Sequence, residues 1–301
     1  MITQFHHKKL TWIDIEDPTS EDITTIIKDF HIDPSWAKDL LTPTERAKTD
    51  TTTNTFYAVL HYPDHPSLSL ETRDIEVDYI VGDKFIITAH YTPIDTFLEL
   101  FKQFEVDTTL GREQITTGIE LFLELNNRLY RGLREELEPL RREGTKIESE
   151  IFLGNEFKMV HEISRLGRKL LDFRQALRSH KTILKALHAQ APHLFPHLVL
   201  DEEHFYREYI RVENASENIR EHLKELRETN DSLLTAKNNE VTKKLTLMAF
   251  VTFPLTLVAT VLFAHNAPEL FKSNHGFWIT IGILIVLFIG MQVYFRYKKW
   301  I

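Results

Sequence analysis

The chain has 301 residues, of which 43% are hydrophobic, with no cysteine and a formal net charge of −8 at pH 7. This composition excludes a disulfide scaffold, a cysteine-based zinc site, a thiol nucleophile and a low-complexity chain. The charge is divided unevenly, since residues 1–240 carry a net −13 and residues 241–301 a net +5. Phosphate binding needs clustered cations, so the acidic body argues against nucleic acid as a partner.

Residues 1–112 are predicted to form a cytoplasmic α/β domain. Residues 10–15 alternate apolar and polar side chains, as a half-buried strand does. Thr19 with Asp22 predicts the start of a helix over residues 23–30. The remaining expected elements are a short helix at 34–41, a strand at 56–61, and a hairpin of strands at 75–81 and 85–89 joined through Gly82-Asp83.

Residues 113–200 change to the helical period, with leucines recurring every three or four positions. This pattern predicts two long antiparallel helices separated at Gly154-Asn155. Pro139 falls inside the first helix, where we expect a kink. Pro192 and Pro196 are expected to mark a loop after the second.

Residues 201–244 are predicted to form a stalk helix with a heptad seam. The seam comprises positions 205, 209, 212, 216, 219, 223, 226, 230 and 233, with polar interruptions at Ser216 and Asn230. No glycine or proline occurs between Asp201 and Phe253, so the stalk should continue without a break into the next segment.

Two apolar segments, residues 245–263 and 277–295, are predicted to cross a membrane. Each has 19 residues, which as a helix is about 28 Å long and matches the bilayer core. Cations concentrate outside the pair, in the stalk end and the tail 296–301, whereas the loop 264–276 has one cation and one acid. Both termini should therefore be cytoplasmic and the loop extracytoplasmic. A second interpretation is two buried core helices of a soluble protein.

One face of the first span could line a path for solute if several copies surround it. The residues assigned to this path are Asn239 on the cytoplasmic approach, Leu245 where the span begins, and Ala249, Phe253, Thr256 and Thr260 along one face of the helix. A second interpretation is that Thr256 and Thr260 bond to backbone or pack on a neighbouring helix.

Several stretches of this sequence resemble the CorA-type divalent-metal transporters, and they occur in the same order over the whole chain. They are WIDIEDPT (12–19), VDYIVGDKFIIT (77–88), NEVTKKLT (239–246), FPLT (253–256), PEL (268–270) and YFRYKKW (294–300). The predicted fold class is thus an α+β cytoplasmic domain, long antiparallel helices, and a stalk helix continuous with the first of two transmembrane helices: an α-helical membrane protein.

The resemblance implies a homopentamer in the inner membrane that moves Mg²⁺ or Co²⁺ passively, with divalent cations as substrate and possible regulator and no other cofactor. It implies a pore ring at Asn239, a hydrophobic constriction at Leu245, and pore lining by Phe253 and Thr256. Thr260 occupies a position where the family often has glycine. No P-loop, nucleophile elbow or His-Glu-x-x-His motif is present, so neither an enzyme nor ATP-driven transport is expected.

The signature Gly-Met-Asn of that family is missing from the outer end of the first span. Its place is taken by Phe263-Ala264-His265 or, with a shift of one residue, by Ala264-His265-Asn266. In the family this asparagine faces the arriving hydrated ion. Mg²⁺ loses its water reluctantly, and neutral amide oxygens can hydrogen-bond that water shell without removing it. Asn266 is therefore the candidate filter residue.

His265 and Glu269 bear on which metal ions the chain could transport. A ring of neutral imidazoles favours Zn²⁺, Ni²⁺ or Co²⁺ over Mg²⁺, and protonation would make it repel cations. A zinc-type transporter with proton linkage is therefore one alternative, and a non-conducting membrane-anchored scaffold or sensor is another. His265 could equally be an interfacial polar residue, and Glu269 either attracts cations or is ordinary surface.

The start of the stalk is a candidate regulatory metal site, since the family often has carboxylates there that bind divalent ions between subunits. Glu203 lies in an acidic run, and His204 falls on the key position of the family pattern. Asp95, in the loop after the hairpin, is a possible partner. Oxygen ligands suit Mg²⁺, but acids at a helix start are also ordinary dipole matching.

Overall fold

The computed structural model describes residues 2–7, 10–63, 74–110, 115–197, 201–263 and 274–298. The chain divides into two compact units, Met1–Glu228 and Thr229–Ile301. The first unit holds a sheet and its covering helices, and the described residues of the second are almost all helical. This architecture confirms the predicted fold class.

The first unit is built on one sheet of six strands, numbered in chain order. They are β1 Ile2–His7, β2 Leu10–Glu16, β3 Thr49–Thr51, β4 Thr55–Pro63, β5 Asp74–Gly82 and β6 Phe85–His90. The strand order is β1-β2-β6-β5-β4-β3, with β2 and β6 parallel and every other pair antiparallel. The central strands are buried on both faces, which explains why β6 begins with a continuous apolar run.

Seven α-helices and one 3₁₀ helix occur in the described residues. They are α1 Ser20–Phe30, the 3₁₀ helix Pro34–Leu41, α2 Asp95–Leu110, α3 Gly118–Phe152, α4 Glu156–Leu177, α5 His180–Leu194, α6 Glu202–Phe263 and α7 Asn274–Tyr297. The predicted helices at 23–30 and 34–41, the hairpin and the break at Gly154-Asn155 are all confirmed.

The start of α1 follows from its capping box. The Asp22 N–H donates to Thr19 Oγ1 at 3.3 Å, and the Thr19 N–H donates to Asp22 Oδ2 at 3.0 Å. The Thr19 hydroxyl also donates to Asp22 Oδ2 at 2.7 Å, and this bond, together with the one from the Thr19 N–H, holds the pKa of the Asp22 carboxyl below its ordinary value. His31 ends the helix in the left-handed conformation, with φ of 54°.

The two faces of the sheet are covered by different helices. Ile13, Ile80 and Tyr57 pack with α1 and the 3₁₀ helix on one face. On the other face, Tyr79 meets Phe122 of α3 edge to face at 5.1 Å between ring centroids. The sheet is therefore the middle layer of three.

Three elements were missed by the sequence patterns. The strand β1 lies at one edge of the sheet, and β3 has only three residues at the other. The helix α2 was expected to be loop, and Asp95 is its first residue. It forms because its aromatic face stacks on the sheet, where the rings of Phe101 and Trp12 lie 3.8 Å apart.

The second long helix of the predicted hairpin is in fact two helices, α4 and α5, so that prediction was wrong. His180 is fully buried at the break between them. Its Nε2 donates to the His61 carbonyl and its Nδ1 accepts from the Tyr130 hydroxyl, both at 2.8 Å. Burial lowers the pKa of His180 to about 4, which keeps the imidazole neutral.

The sequence predicted a kink at Pro139 and a loop at Pro192 and Pro196. Pro192 lies inside α5, so it does not mark a loop, whereas Pro196 does follow the end of that helix. The helix α3 continues through Pro139 to Phe152.

The stalk prediction is confirmed over most of its length. All of the seam positions from Phe205 to Asn230 are buried, and α6 runs unbroken for 62 residues. Ser216 satisfies its hydroxyl by donating to the Glu213 carbonyl at 2.8 Å. The Oδ1 atom of Asn230 is buried without a hydrogen-bond partner in the described residues.

The junction of α3 with the β5–β6 turn requires glycine at position 118. The Gly118 N–H donates to the Asp83 carbonyl at 3.0 Å, and a Cβ atom there would overlap the carbonyl oxygens of Gly82 and Phe85. We expect Gly118→Ala to lower the free energy of unfolding by about 1–3 kcal/mol, because backbone must move to admit the methyl group.

Gly132→Ala is the matched control on the same helix, since nothing lies within 4 Å of its Cβ position. It should be neutral or stabilise by up to about 1 kcal/mol through helix propensity. Thermal unfolding of the full chain in detergent measures both variants. Equal melting temperatures would contradict the overlap at Gly118.

Asp78 is a fully buried carboxyl on the face of the sheet covered by the 3₁₀ helix. The Tyr57 hydroxyl donates to its Oδ1 at 2.7 Å, while Oδ2 has no hydrogen-bond partner in the described residues. Desolvation raises the pKa of Asp78 from 3.8 to about 8, and the nearby acids Glu76 and Asp39 add to the shift.

The folded state therefore binds the Asp78 proton between pH 3.8 and about 8, while the unfolded state has released it. Stability should fall as the pH rises through this window. We expect Asp78→Asn, which keeps an oxygen acceptor for Tyr57, to flatten that decline. Melting temperatures at several pH values measure it, with the exposed Asp29→Asn as control. An unchanged slope in Asp78→Asn would contradict the assignment.

Candidate functional site

One described helix, Phe205–Val261 within α6, is long and apolar enough to cross a membrane, and a shorter apolar segment, Ile281–Tyr297, lies in α7. Only 6% of the most apolar stretch of α6 is buried. A core helix of a soluble protein would instead be mostly buried. The burial therefore favours the membrane interpretation of this stretch over the soluble one.

Large apolar side chains are exposed along the whole length of this stretch. Phe253 is 72% exposed, and the others are Leu245, Met248, Phe250, Leu257 and Val261. An exposed apolar surface of this extent is typical of a surface that contacts lipid or another protein chain.

The helices α6 and α7 lie side by side within the second unit. Both line a groove of about 400 Å³, to which α6 contributes Leu255, Thr256 and Ala259 and α7 contributes Ile281 and Phe288 among others. Sequence reasoning missed Leu255 and Ala259, which lie on the side of α6 that lines this groove with α7. The small Ala259 in a segment of large apolar residues was the available signal, because small residues let membrane helices approach closely.

The residues assigned to the solute path lie on the surface of α6. Asn239, Leu245, Phe253, Thr256 and Thr260 are exposed and Ala249 is partly buried. Thr256 also reaches the groove beside α7, so it stands at the edge of this face. We call these six residues the α6 face. Its role as pore lining stays a prediction.

The threonine hydroxyls of the α6 face donate their hydrogen bonds to backbone carbonyls of the same helix. Backbone bonding of Thr256 and Thr260 was the alternative to pore lining in the sequence analysis. Thr256 Oγ1 donates to the Thr252 carbonyl at 2.8 Å, and Thr260 Oγ1 donates to the Thr256 carbonyl at 2.7 Å. Each oxygen keeps lone pairs that can only accept. The waters around a divalent cation point their hydrogens outward, so these oxygens are suited to a hydrated ion.

An exposed ion pair lies next to Asn239 on α6. The Lys244 Nζ lies 2.7 Å from Glu240 Oε1, one helical turn away, and both side chains are well exposed. This hydrogen bond lowers the pKa of the Glu240 carboxyl. Asn239 therefore presents a neutral amide beside a charge-balanced pair.

The remaining predicted metal residues are not brought together by the described residues. His265, Asn266 and Glu269 lie outside them. Glu203 and His204 lie in the first turn of α6, but their side chains are outside the described part of the chain. Asp95 is exposed at the start of α2. In the described ranges, no three His, Asp or Glu side chains are grouped so that they could hold a metal ion.

A family model described as CorA-like Mg²⁺ transporter protein matches residues 7–299 of this chain. Two relatives carry the name cobalt/magnesium transport protein CorA. The one from Thermotoga maritima is 23% identical over 97% of this chain and 83% of its own length. The one from Methanocaldococcus jannaschii is 23% identical over 99% of this chain and 93% of its own.

Solved structures show the same fold over the whole chain. The complete structure of the CorA magnesium transporter from Methanocaldococcus jannaschii aligns with a TM-score of 0.76 at 20% identity, covering 99% of this chain and 93% of that one. The full-length CmaX protein aligns with a TM-score of 0.60 at 15% identity, covering 97% and 89%.

Proposed function

This chain belongs to the CorA-like Mg²⁺ transporter family, and we propose that it moves Mg²⁺ or Co²⁺ passively through a homopentameric pore in the inner membrane. The observation that carries the proposal is the long helix α6, which is apolar and uncovered along its membrane-length stretch. The names of the relatives from Thermotoga maritima and Methanocaldococcus jannaschii support Mg²⁺ and Co²⁺ as cargo.

In the proposed pore, five copies of α6 turn the α6 face towards a common axis. Leu245 then forms an apolar constriction that blocks flow when it is dry. Thr256 and Thr260 accept hydrogen bonds from the water shell of the ion, so that it passes without losing that shell. Asn239 supplies a neutral amide ring on the cytoplasmic side. The remaining apolar surface of α6, together with α7, faces lipid.

The proposed topology places residues 245–263 and 277–295 in the membrane and both termini in the cytoplasm. The five cations that flank the pair of segments support this orientation. The aromatic side chains of Trp278 and Tyr297 are exposed near opposite ends of α7. Side chains of this kind favour the boundary between lipid and water.

The proposed outer mouth is formed by the loop after the first span. Asn266 would contact the water shell of the arriving ion, and Glu269 would raise the local concentration of cations. His265 sits beside Asn266 in the sequence and favours transition metals when neutral. That residue is the reason to compare several metals when cargo is tested.

Regulation by cytoplasmic divalent cations is proposed at the stalk start. Glu203 and His204 of one copy, with Asp95 of the next, would bind metal between subunits and hold the pore closed when internal metal is plentiful. Exposure of Asp95 at the start of α2 is compatible with such a contact.

We expect proteoliposomes that contain the full chain to take up Mg²⁺ and Co²⁺, and Asn266→Ala to abolish this uptake or its selectivity, because the amide ring is lost. Uptake of Zn²⁺ driven by a pH gradient, with none of Mg²⁺, would favour the zinc-type alternative. No flux of any metal would favour a scaffold or sensor. Normal uptake in Asn266→Ala would reject Asn266 as the filter.

Because the chain has no cysteine, single cysteines can map the α6 face. We expect Thr260→Cys and Thr256→Cys in the reconstituted protein to react rapidly with a charged thiol reagent, since both would face water. Val261→Cys and Leu257→Cys are matched controls at the same depth, about 100° around the helix, and should react slowly. Equal rates within each pair would show that this face does not line a pore.

A further inference from the structure

A groove of about 1050 Å³ lies in the first unit between the α4–α5 segment and the stalk part of α6. Its walls include the apolar residues Leu170, Leu171 and Leu223. Leu171 is 62% exposed, so the groove offers apolar surface to an occupant. The volume is that of a site for a ligand of nucleotide size.

The groove gathers positive charge in an otherwise acidic body. Seven Arg and Lys side chains line it, four from the α4–α5 segment and three from α6, whereas Glu213 is the one acid among the described lining residues. Residues 1–240 as a whole carry a net −13. The α4–α5 segment is itself rich in cations, and its packing against α6 adds the cations of the stalk to the same groove.

Part of this charge is neutralised by acids of α6. Arg174 lies 2.8 Å from Glu217 Oε2, which Arg220 also contacts, and Lys181 lies 3.3 Å from Glu213 Oε2. These pairs fix the side chains along the inner part of the groove.

Three arginines of the groove have no acidic partner among the described residues. Arg168, Arg178 and Arg227 line the groove and make no ion pair within the part of the chain that the structure describes. All three residues are exposed. Arg168 and Arg178 lie ten residues apart, which is about 15 Å along a helix. Guanidinium groups bind phosphate through two parallel hydrogen bonds, which makes them well suited to a chain of phosphates.

The wall of the groove leaves room for a ligand at Gly167. Nothing lies within 4 Å of the place where its Cβ atom would be. The next lining residue towards the start of α4 is Ser164, which is also small. The small residues Ser164 and Gly167 therefore leave open space in the groove beside Arg168.

We propose that this groove binds a polyphosphate anion, either a nucleoside triphosphate or inorganic polyphosphate, through Arg168, Arg178 and Arg227. Binding should weaken as salt rises, because the contacts are exposed and electrostatic. It should also weaken when Mg²⁺ is added, because the Mg²⁺ complex of a polyphosphate carries less negative charge. The site goes beyond the proposed transport function, and its binding assay does not depend on flux.

The test measures equilibrium binding of ATP, inorganic tripolyphosphate and AMP to the full chain in detergent at low salt without Mg²⁺. We expect saturable binding of ATP and tripolyphosphate and much weaker binding of AMP. Similar affinity for ATP and tripolyphosphate assigns recognition to the phosphate chain alone. Binding of ATP without tripolyphosphate assigns the site to a nucleotide. Both results support the proposal.

Two sets of variants locate the site. The double variant Arg168→Gln with Arg227→Gln should raise Kd about 10-fold or more, as expected from losing charged hydrogen-bonding groups. Arg142→Gln, an exposed arginine of α3 outside the groove, should leave Kd unchanged. Gly167→Leu fills the groove without changing charge and should abolish binding, while Gly132→Leu should not. Both leucines improve helix propensity, so folding is retained, and melting temperatures check this.

Three results would overturn the proposal. The first is no binding of ATP or tripolyphosphate by the unaltered chain at about 1 mM. The second is an equal loss of affinity in Arg142→Gln and in the double variant. The third is a smaller particle mass in Gly167→Leu than in Gly132→Leu, which would assign the groove to contact between copies of this chain.

Discussion

The rest of the structure depends on one uncovered helix. The membrane-length part of α6 presents Phe253, Leu257 and Val261 outward, and no part of the chain that the structure describes covers them. Exposed apolar surface of this extent is typical of a helix that contacts lipid or another protein chain. The same helix continues back into the first unit, where its heptad seam is buried by the chain's own helices. The single helix α6 is therefore buried along its seam in the stalk and exposed along its membrane-length part.

The first unit shows how buried polar groups constrain a fold. His180 is buried at the break between α4 and α5, where its ring nitrogens bond to the His61 carbonyl and the Tyr130 hydroxyl. Asp78 keeps a buried carboxyl whose second oxygen is unsatisfied in the described residues. A satisfied imidazole stabilises, whereas an unsatisfied carboxyl in an apolar setting costs stability. Asp78 makes the stability of this unit depend on pH, because the fold raises its pKa to about 8.

Periodic patterns predicted the elements whose burial repeats regularly. The strand alternation at 10–15, the capping box at Thr19 and the seam from Phe205 onward all appear where expected. Elements whose sequences show no regular spacing of apolar residues were missed. The strands β1 and β3 lie at the edges of the sheet, and α2 forms because its aromatic residues contact Trp12 of β2. The α6 face was predictable because helical spacing alone places residues on one side. Its boundary with α7, at Thr256, required the packing of two helices.

The sequence by itself determined what depends on neighbours along the chain: the helix and strand periods, the membrane-length apolar stretches, the charge asymmetry and the resemblance to a transporter family. Only the tertiary structure decided which distant residues meet. Arg168 and Arg227 lie almost sixty positions apart, and the net charge of residues 1–240 as a whole argued against a cluster of cations there. The antiparallel packing of α4 on α6 brings them to one groove. Net charge is a sum over residues, whereas an electrostatic field depends on where the fold places each of them.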